Sequence, residues 1–225
     1  MASLSGIRWI LSPAIGKHLR KHTKKHGRWL GGLPDRRGIF SARDLWMGSC
    51  RRDGLNSHVM IVSIGGGAAE LYFALLMKKA DPANDILVVE RNRPDDTFGF
   101  GVVFSDATLE NFAEADRETH AEITRNFDHW DDIDIHYRGE VLTSTGHGFS
   151  GMSRQLLLDI LQRRCVELGV RLQFQTEASD LGAYPDADLV LAADGVNSVV
   201  RSRYAEHFRP QVDWRGNKFV WIGRA

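Results

Sequence analysis

Apolar and polar positions along this chain change period several times, and each change predicts an element. His58-Val59-Met60-Ile61-Val62-Ser63-Ile64 is a short apolar run of the kind that fills a buried parallel strand. It runs into Gly65-Gly66-Gly67-Ala68-Ala69-Glu70. Leu71-Tyr72-Phe73-Ala74-Leu75-Leu76-Met77-Lys78-Lys79 then predicts a helix with cations in its last turn and Pro82 beyond its end. Asp85-Ile86-Leu87-Val88-Val89-Glu90 predicts a second buried strand, ending on a carboxylate. Residues 91–101, with Pro94 and the glycines of Phe98-Gly99-Phe100-Gly101, read as a loop, and acidic helical sequence follows from Ser105 to about Asn126. Ile133, Ile135 and Tyr137 then alternate with polar partners, and Glu140-Val141-Leu142-Thr143-Ser144-Thr145 follows Arg138-Gly139. This pattern predicts an antiparallel ribbon. A strong helix begins at Ser153-Arg154-Gln155-Leu156-Leu157 and ends near Leu168-Gly169. Residues 170–174 and 188–193 read as strands, the second passing into Asp194-Gly195-Val196-Asn197-Ser198.

Residues 1–57 show little of this periodicity. They mix Gly, Pro, Arg and His, and carry no acid before Asp35. Residues 1–59 hold 12 Lys/Arg against 3 Asp/Glu, a net of +9, and residues 60–225 hold 17 against 26, a net of −9. The formal zero for the whole chain therefore hides two segments of different character. The acidic main body argues against nucleic-acid binding. His18, His22 and His26 would share one face of a helix, a metal-binding spacing, but seven cations around them favour a solvated basic segment and no metal. Residues 1–57 are expected to be a disordered basic leader without a folded role, with Met60 standing at the start of the first clear strand. Residues 58–225 are expected to form the folded unit. Cys50 and Cys165 are too few for a disulfide framework and suit a reducing cytoplasm, and no apolar run is long enough to span a membrane.

Strand, glycine turn, helix, strand and terminal acid, in that order, make a βαβ unit of the dinucleotide-binding type. Gly65 permits the tight turn, Gly67 lets backbone approach a pyrophosphate, and the helix start offers free N–H groups to it. Glu90, 25 residues after Gly65, stands where an acid accepts hydrogen bonds from a ribose. Glu70 breaks the pattern, because it holds the place of the third glycine. Two readings of it stay open here. Its side chain points to solvent and benefits from the helix dipole, or it impairs cofactor binding. Asp194-Gly195, after a buried strand, offers a second backbone turn at the carboxyl edge of the same sheet.

These residues resemble the flavin-dependent aromatic monooxygenases with the p-hydroxybenzoate hydroxylase fold. The likeness covers about residues 59–223. It rests on Ile64-Gly65-Gly66-Gly67 with Glu90, on Ser153-Arg154-Gln155-Leu156-Leu157, and on Ala193-Asp194-Gly195-Val196-Asn197-Ser198-Val199-Val200-Arg201. Thr97-Phe98-Gly99-Phe100-Gly101-Val102-Val103-Phe104-Ser105-Asp106 is most similar to the branch acting on salicyl-CoA or 2-aminobenzoyl-CoA. The resemblance implies an α/β fold: an FAD-binding Rossmann-like βαβ domain with an inserted antiparallel β-ribbon from an incomplete substrate domain. It also implies that Gly65, Gly67 and Glu90 hold the adenosine half of FAD, with Arg91 a further cofactor-binding candidate. Arg154 would then reach the flavin side, and Asp194 and Gly195 would lie along the pyrophosphate and the path of NADH or NADPH. The implied chemistry is hydroxylation of an activated aromatic or aryl-CoA substrate through a flavin hydroperoxide. His136 and His147 are weak candidates for bases in ring activation. The family's later Gly-Asp motif and long C-terminal helix have no counterpart, so the chain reads as an N-terminal portion. A non-catalytic dinucleotide-binding remnant is the alternative. A nicotinamide oxidoreductase is disfavoured by Asp194-Gly195 and Arg154.

Overall fold

In the computed structural model, residues 9–11, 58–214 and 216 are described. The centre of the fold is a five-stranded sheet. β1 is Trp9–Leu11, β2 is Met60–Ile64, β3 is Asp85–Val89, β9 is Arg171–Gln173 and β10 is Leu189–Ala192. Across the sheet they run β1-β10-β2-β3-β9, with the last four parallel and β1 antiparallel on the edge. Trp9–Leu11 thus belong to the sheet, while the rest of the basic leader, His18, His22 and His26 included, lies outside the described residues.

The period-2 alternation of β2 decides what covers each face. Ile61 looks into a layer formed by helix α1 (Ala68–Ala80) and helix α4 (Arg154–Glu167), packing with Leu71, Leu75, Ile86, Leu157, Ile160 and Leu161. Val62 and Ile64 look the other way, toward Val89, Val190 and Val200, the last on the short helix α5 (Val199–Arg203). Both faces are covered, so the strands read as near-continuous apolar runs. Lys78 and Lys79 close α1, where cations suit the helix dipole, and Asp81 ends it in an extended conformation.

Two smaller antiparallel units complete the described chain. β4 (Gly101–Ser105), β8 (Phe149–Ser153) and β5 (Asp128–Trp130) form a sheet in the order β4-β8-β5. β6 (Ile133–Tyr137) and β7 (Glu140–Ser144) form a hairpin in which Ile135 pairs with Leu142, as the alternation predicts. Its turn uses Arg138 and Gly139, both at positive φ.

The three-stranded sheet is absent from the sequence reading, which assigned no strand at residues 101–105, 128–130 or 149–153; residues 91–100 are loop, as read. Its strands carry Gly101 and Gly151, which weaken strand propensity. Gly151 is there for space, since a Cβ at that position would lie 2.8 Å from the Trp130 ring. The long helix read over residues 105–126 is two helices, α2 (Asp106–Ala115) and α3 (Arg117–Thr124). They part at Asp116, whose extended backbone turns its carboxylate inward to accept hydrogen bonds from Lys79 Nζ at 2.6 Å and Thr119 Oγ1 at 2.5 Å. The final short helix, α6, spans Ala205–Phe208. Among the described residues no helix is long and apolar enough to cross a membrane.

Candidate dinucleotide site

The strand order places the site. From β2 the chain moves one way to β3 and β9, then returns to the other side of β2 as β10. The carboxyl ends of β2 and β10 therefore flank a topological switch point, where ligands of open α/β sheets bind. Two turns meet there. Gly65, at φ +114°, donates its N–H to Val89 O at 2.8 Å. A Cβ on Gly65 would lie 3.1 Å from Ala193 O and 3.3 Å from Asp194 Cα, so backbone from the two strand ends is in near contact.

Glu90 closes the site on the β3 side. Its Oε2 accepts the Gly66 N–H at 2.7 Å, while Oε1 accepts the Asn92 backbone N–H at 2.8 Å and Asn92 Nδ2 at 2.6 Å. Gly66 is required because a Cβ there would stand 2.7 Å from Glu90 Cβ. The sequence reading missed Gly66 and Asn92 as positioning residues. The middle glycine of the run and an amide two residues past the acid were the available signals.

Asp194 is held by the helix that follows it. Its Oδ2 accepts the Val199 N–H at 2.7 Å and the Val200 N–H at 3.3 Å, and its Oδ1 accepts Ser198 Oγ at 2.5 Å. These contacts tie Asp194 to the first turn of α5, whose N-cap is Ser198 with its Oγ accepting the Arg201 N–H at 2.9 Å. Gly195, at φ +88°, has no atom within 4 Å of an added Cβ, so its glycine serves the backbone conformation alone. Arg154 opens α4 behind Ser153, whose Oγ caps the helix by accepting the Leu156 N–H at 3.4 Å. Arg154 Nε is buried with no hydrogen-bond partner among the described residues. Arg91 is exposed.

Glu70 does not point to solvent. It is 4% exposed and lies on the buried stripe of α1 with Leu71, Ala74 and Leu75. It is the third residue after the N-cap Gly67, and helical side chains lean toward the helix N-terminus. Gly67 has no side chain to stop it, and a Cβ on Gly67 would be 2.9 Å from Glu70 Oε2. The carboxylate thus folds over the turn and takes a hydrogen bond from its own backbone N–H. Burial raises its pKa from 4.5 to about 7, and the neighbouring charges of Glu90 and Asp194 add to the rise; its own N–H and Arg154 oppose it. The solvent-facing reading of Glu70 is corrected accordingly.

The structure therefore gathers Gly65, Gly66, Gly67, Glu70, Glu90, Arg154 and Asp194 around one sheet edge. His136 and His147 belong elsewhere, to the hairpin and the loop after it. His136 is exposed opposite Val141, and His147 bonds Ser144 Oγ at 2.6 Å and stacks on Phe149.

This geometry has kin. Over 163 residues the chain is 42% identical to salicyloyl-CoA 5-hydroxylase from Streptomyces sp, an alignment covering 72% of this chain and 32% of that protein. The chain is therefore similar to part of a protein named as an aryl hydroxylase. It is also 34% identical over 159 residues to 3-hydroxy-4-methyl-anthranilyl-[aryl-carrier protein] 5-monooxygenase from Streptosporangium sibiricum, covering 71% of this chain and 44% of that one. The chain thus spans 32% and 44% of these relatives' lengths. No protein-family model matches it. In fold it is similar to P. aeruginosa PqsL in complex with 2-aminobenzoylacetate, with a TM-score of 0.54 at 18% identity, covering 72% of this chain and 48% of that one. A variant of 2-methyl-3-hydroxypyridine-5-carboxylic acid oxygenase gives a TM-score of 0.53 at 22% identity, over 65% of this chain and 42% of that one.

Proposed function

We propose that residues 58–225 are the FAD-binding part of a monooxygenase that uses NADH or NADPH to hydroxylate an activated aromatic ring held as an aryl thioester. In this reading the β4-β8-β5 sheet and the β6-β7 hairpin are portions of its substrate domain. The observation that carries it is the 42% identity to salicyloyl-CoA 5-hydroxylase over 163 residues. A relative named for an aryl-carrier substrate supports the thioester class.

The residues fit the cofactor unevenly. Glu90, oriented by three N–H donors, suits an adenosine ribose, and the backbone at Gly195 has open space beside it for a close ligand. The pyrophosphate position does not fit, because the Glu70 carboxylate lies over Gly67 where phosphate would approach. No reaction step is therefore derived through the flavin. The poor fit favours a second reading, a dinucleotide-binding module without turnover.

A chimera separates the two readings. The full chain joined to the C-terminal portion of salicyloyl-CoA 5-hydroxylase is assayed for salicyloyl-CoA hydroxylation and NAD(P)H oxidation. Product formed by the chimera supports the enzyme reading. A folded chimera that holds FAD yet forms no product, with either residue 70 glutamate or glycine, overturns it in favour of the non-catalytic module.

A further inference from the structure

We infer that Glu70 is a built-in anion standing in the pyrophosphate position of the turn, so that a dinucleotide binds this chain only by displacing its carboxylate or neutralising it. The inference rests on the dinucleotide reading above and deepens it.

The first turn of a helix has free N–H groups and the positive end of the helix dipole, which together attract one anion. Here the chain supplies that anion itself. Glu70 Oε2 would be 2.9 Å from a Cβ on Gly67, the side chain is nine-tenths buried, and it accepts its own backbone N–H. Every charged group acting on it belongs to the same edge: Glu90 from the end of β3, Asp194 after β10 and Arg154 at the start of α4. Three carboxylates face one guanidinium. A pyrophosphate arriving beside an ionised Glu70 meets like charge in a buried place, where repulsion is screened least. Proton uptake on Glu70 removes that repulsion. Because burial already raises its pKa to about 7, the uptake is within reach near neutral pH. Ligand binding and proton binding are then linked.

The test compares ADP-ribose, which carries the pyrophosphate, with adenosine, which does not. Titration calorimetry on the full chain measures both ligands at pH 6 and pH 8, for wild type, Glu70→Gln and Glu70→Gly. At pH 8 both variants are expected to bind ADP-ribose about tenfold more tightly than wild type, and at pH 6 the gain shrinks to within about twofold. Adenosine affinity is expected to be equal in all three proteins at both pH values. Equal ADP-ribose affinity across the three proteins at pH 8 overturns the inference, as does the same gain for adenosine. Glu70→Gln keeps the shape of the side chain, and its melting temperature reports whether it folds. Should it not fold, wild type alone decides, since its ADP-ribose Kd must rise about tenfold per pH unit above pH 7 while adenosine stays flat. The underlying reading fails separately. Adenosine bound by wild type and lost in Glu90→Ala, with ADP-ribose indifferent to residue 70, leaves that reading standing and removes only the stand-in. Neither ligand bound by any folded variant removes both.

Discussion

Along the parallel sheet, Ile61, Leu71, Leu75 and Ile86 are fully buried; along the hairpin, Ile135, Tyr137 and Leu142 are more than half exposed. Both regions show clear apolar periodicity, yet only one buries it. On the sheet each strand meets a helix layer on one face and a second cluster on the other. On the hairpin, Ile133, Ile135, Tyr137 and Leu142 share a face that no described residue covers. Alternation therefore forecasts a face that demands a partner, and the partner has to be established separately. The switch-point residues sit on the region that closes its own core, so their geometry depends on packing the chain provides. His136 sits on the region that does not.

The comparison breaks first if core and hairpin respond alike to truncation. Leu161→Ala removes a side chain 1% exposed between α4 and the sheet and is expected to cost about 2–5 kcal/mol. Leu142→Ala on the hairpin is expected to stay within about 0.5 kcal/mol. Urea unfolding of the two variants against wild type measures the gap. Equal losses would mean that the hairpin face is packed in solution.

Glu70 gives the next effect, read as pH dependence. Its folded pKa, near 7, lies above its unfolded value of 4.5, so the folded state binds more protons between them. The Glu70 contribution to stability is therefore fullest below about pH 4.5 and is lost as pH rises toward 7, by up to about 3 kcal/mol. Glu70→Gln should flatten that slope. Asp116 contributes with the opposite sign: burial alone would raise its pKa, but Lys79 and Thr119 overcome this and hold it low. Its stabilising share is present above the carboxylate range and lost as pH falls, so the acid limb should survive in Glu70→Gln. Denaturant midpoints from pH 4 to 8 check both limbs.

A smaller loss is expected at the turn itself. Gly65→Ala places a side chain at φ +114°, 3.1 Å from the Ala193 carbonyl, and should cost about 1–3 kcal/mol. Gly139→Ala in the hairpin turn also has positive φ, but an added Cβ there meets nothing within 4 Å, so it should cost less. Thermal melts of the pair isolate the contribution of close backbone approach.

How far the sequence carries depends on whether one residue's neighbours along the chain determine its surroundings. The βαβ unit was legible because strand, turn, helix and acid are contiguous and each has its own pattern, and the register of β2 on β3 follows from them. The orientation of Glu70 was also within reach. Positions 70, 71, 74 and 75 form one helical stripe, which places residue 70 inward; weighing it only as a break in the glycine pattern left two readings open. The β4-β8-β5 sheet was not legible. Its β4–β8 pairing joins residues about fifty apart, and Gly151 answers to a ring, Trp130, that arrives from a third strand. The role of Asn92 depended on where the Glu90 carboxylate turns, which no local period encodes.

The smallest expected effect on stability is also the one that sharpens the comparison most. Ile135→Lys and Leu142→Ser replace two facing apolar side chains, 52% and 57% exposed, with polar ones on the uncovered side of the hairpin. Neither change removes a buried contact, so the melting temperature should move by no more than about 2 °C, corresponding to a few tenths of a kcal/mol in a chain of this size. Exposed apolar faces nevertheless drive association, and two adjacent substitutions break up this one. The double variant should bind less of a hydrophobic dye and self-associate less at high concentration, by light scattering, while ADP-ribose titrations remain as in wild type. The sheet region would then be shown to keep its site independently of the hairpin. Dye binding unchanged by the double variant would place the exposed apolar surface elsewhere, at Phe98 and Phe100 on the approach to β4 and Val103 within it. A large drop in melting temperature would mean that this face is covered in solution, and the contrast between the two regions would fall with it.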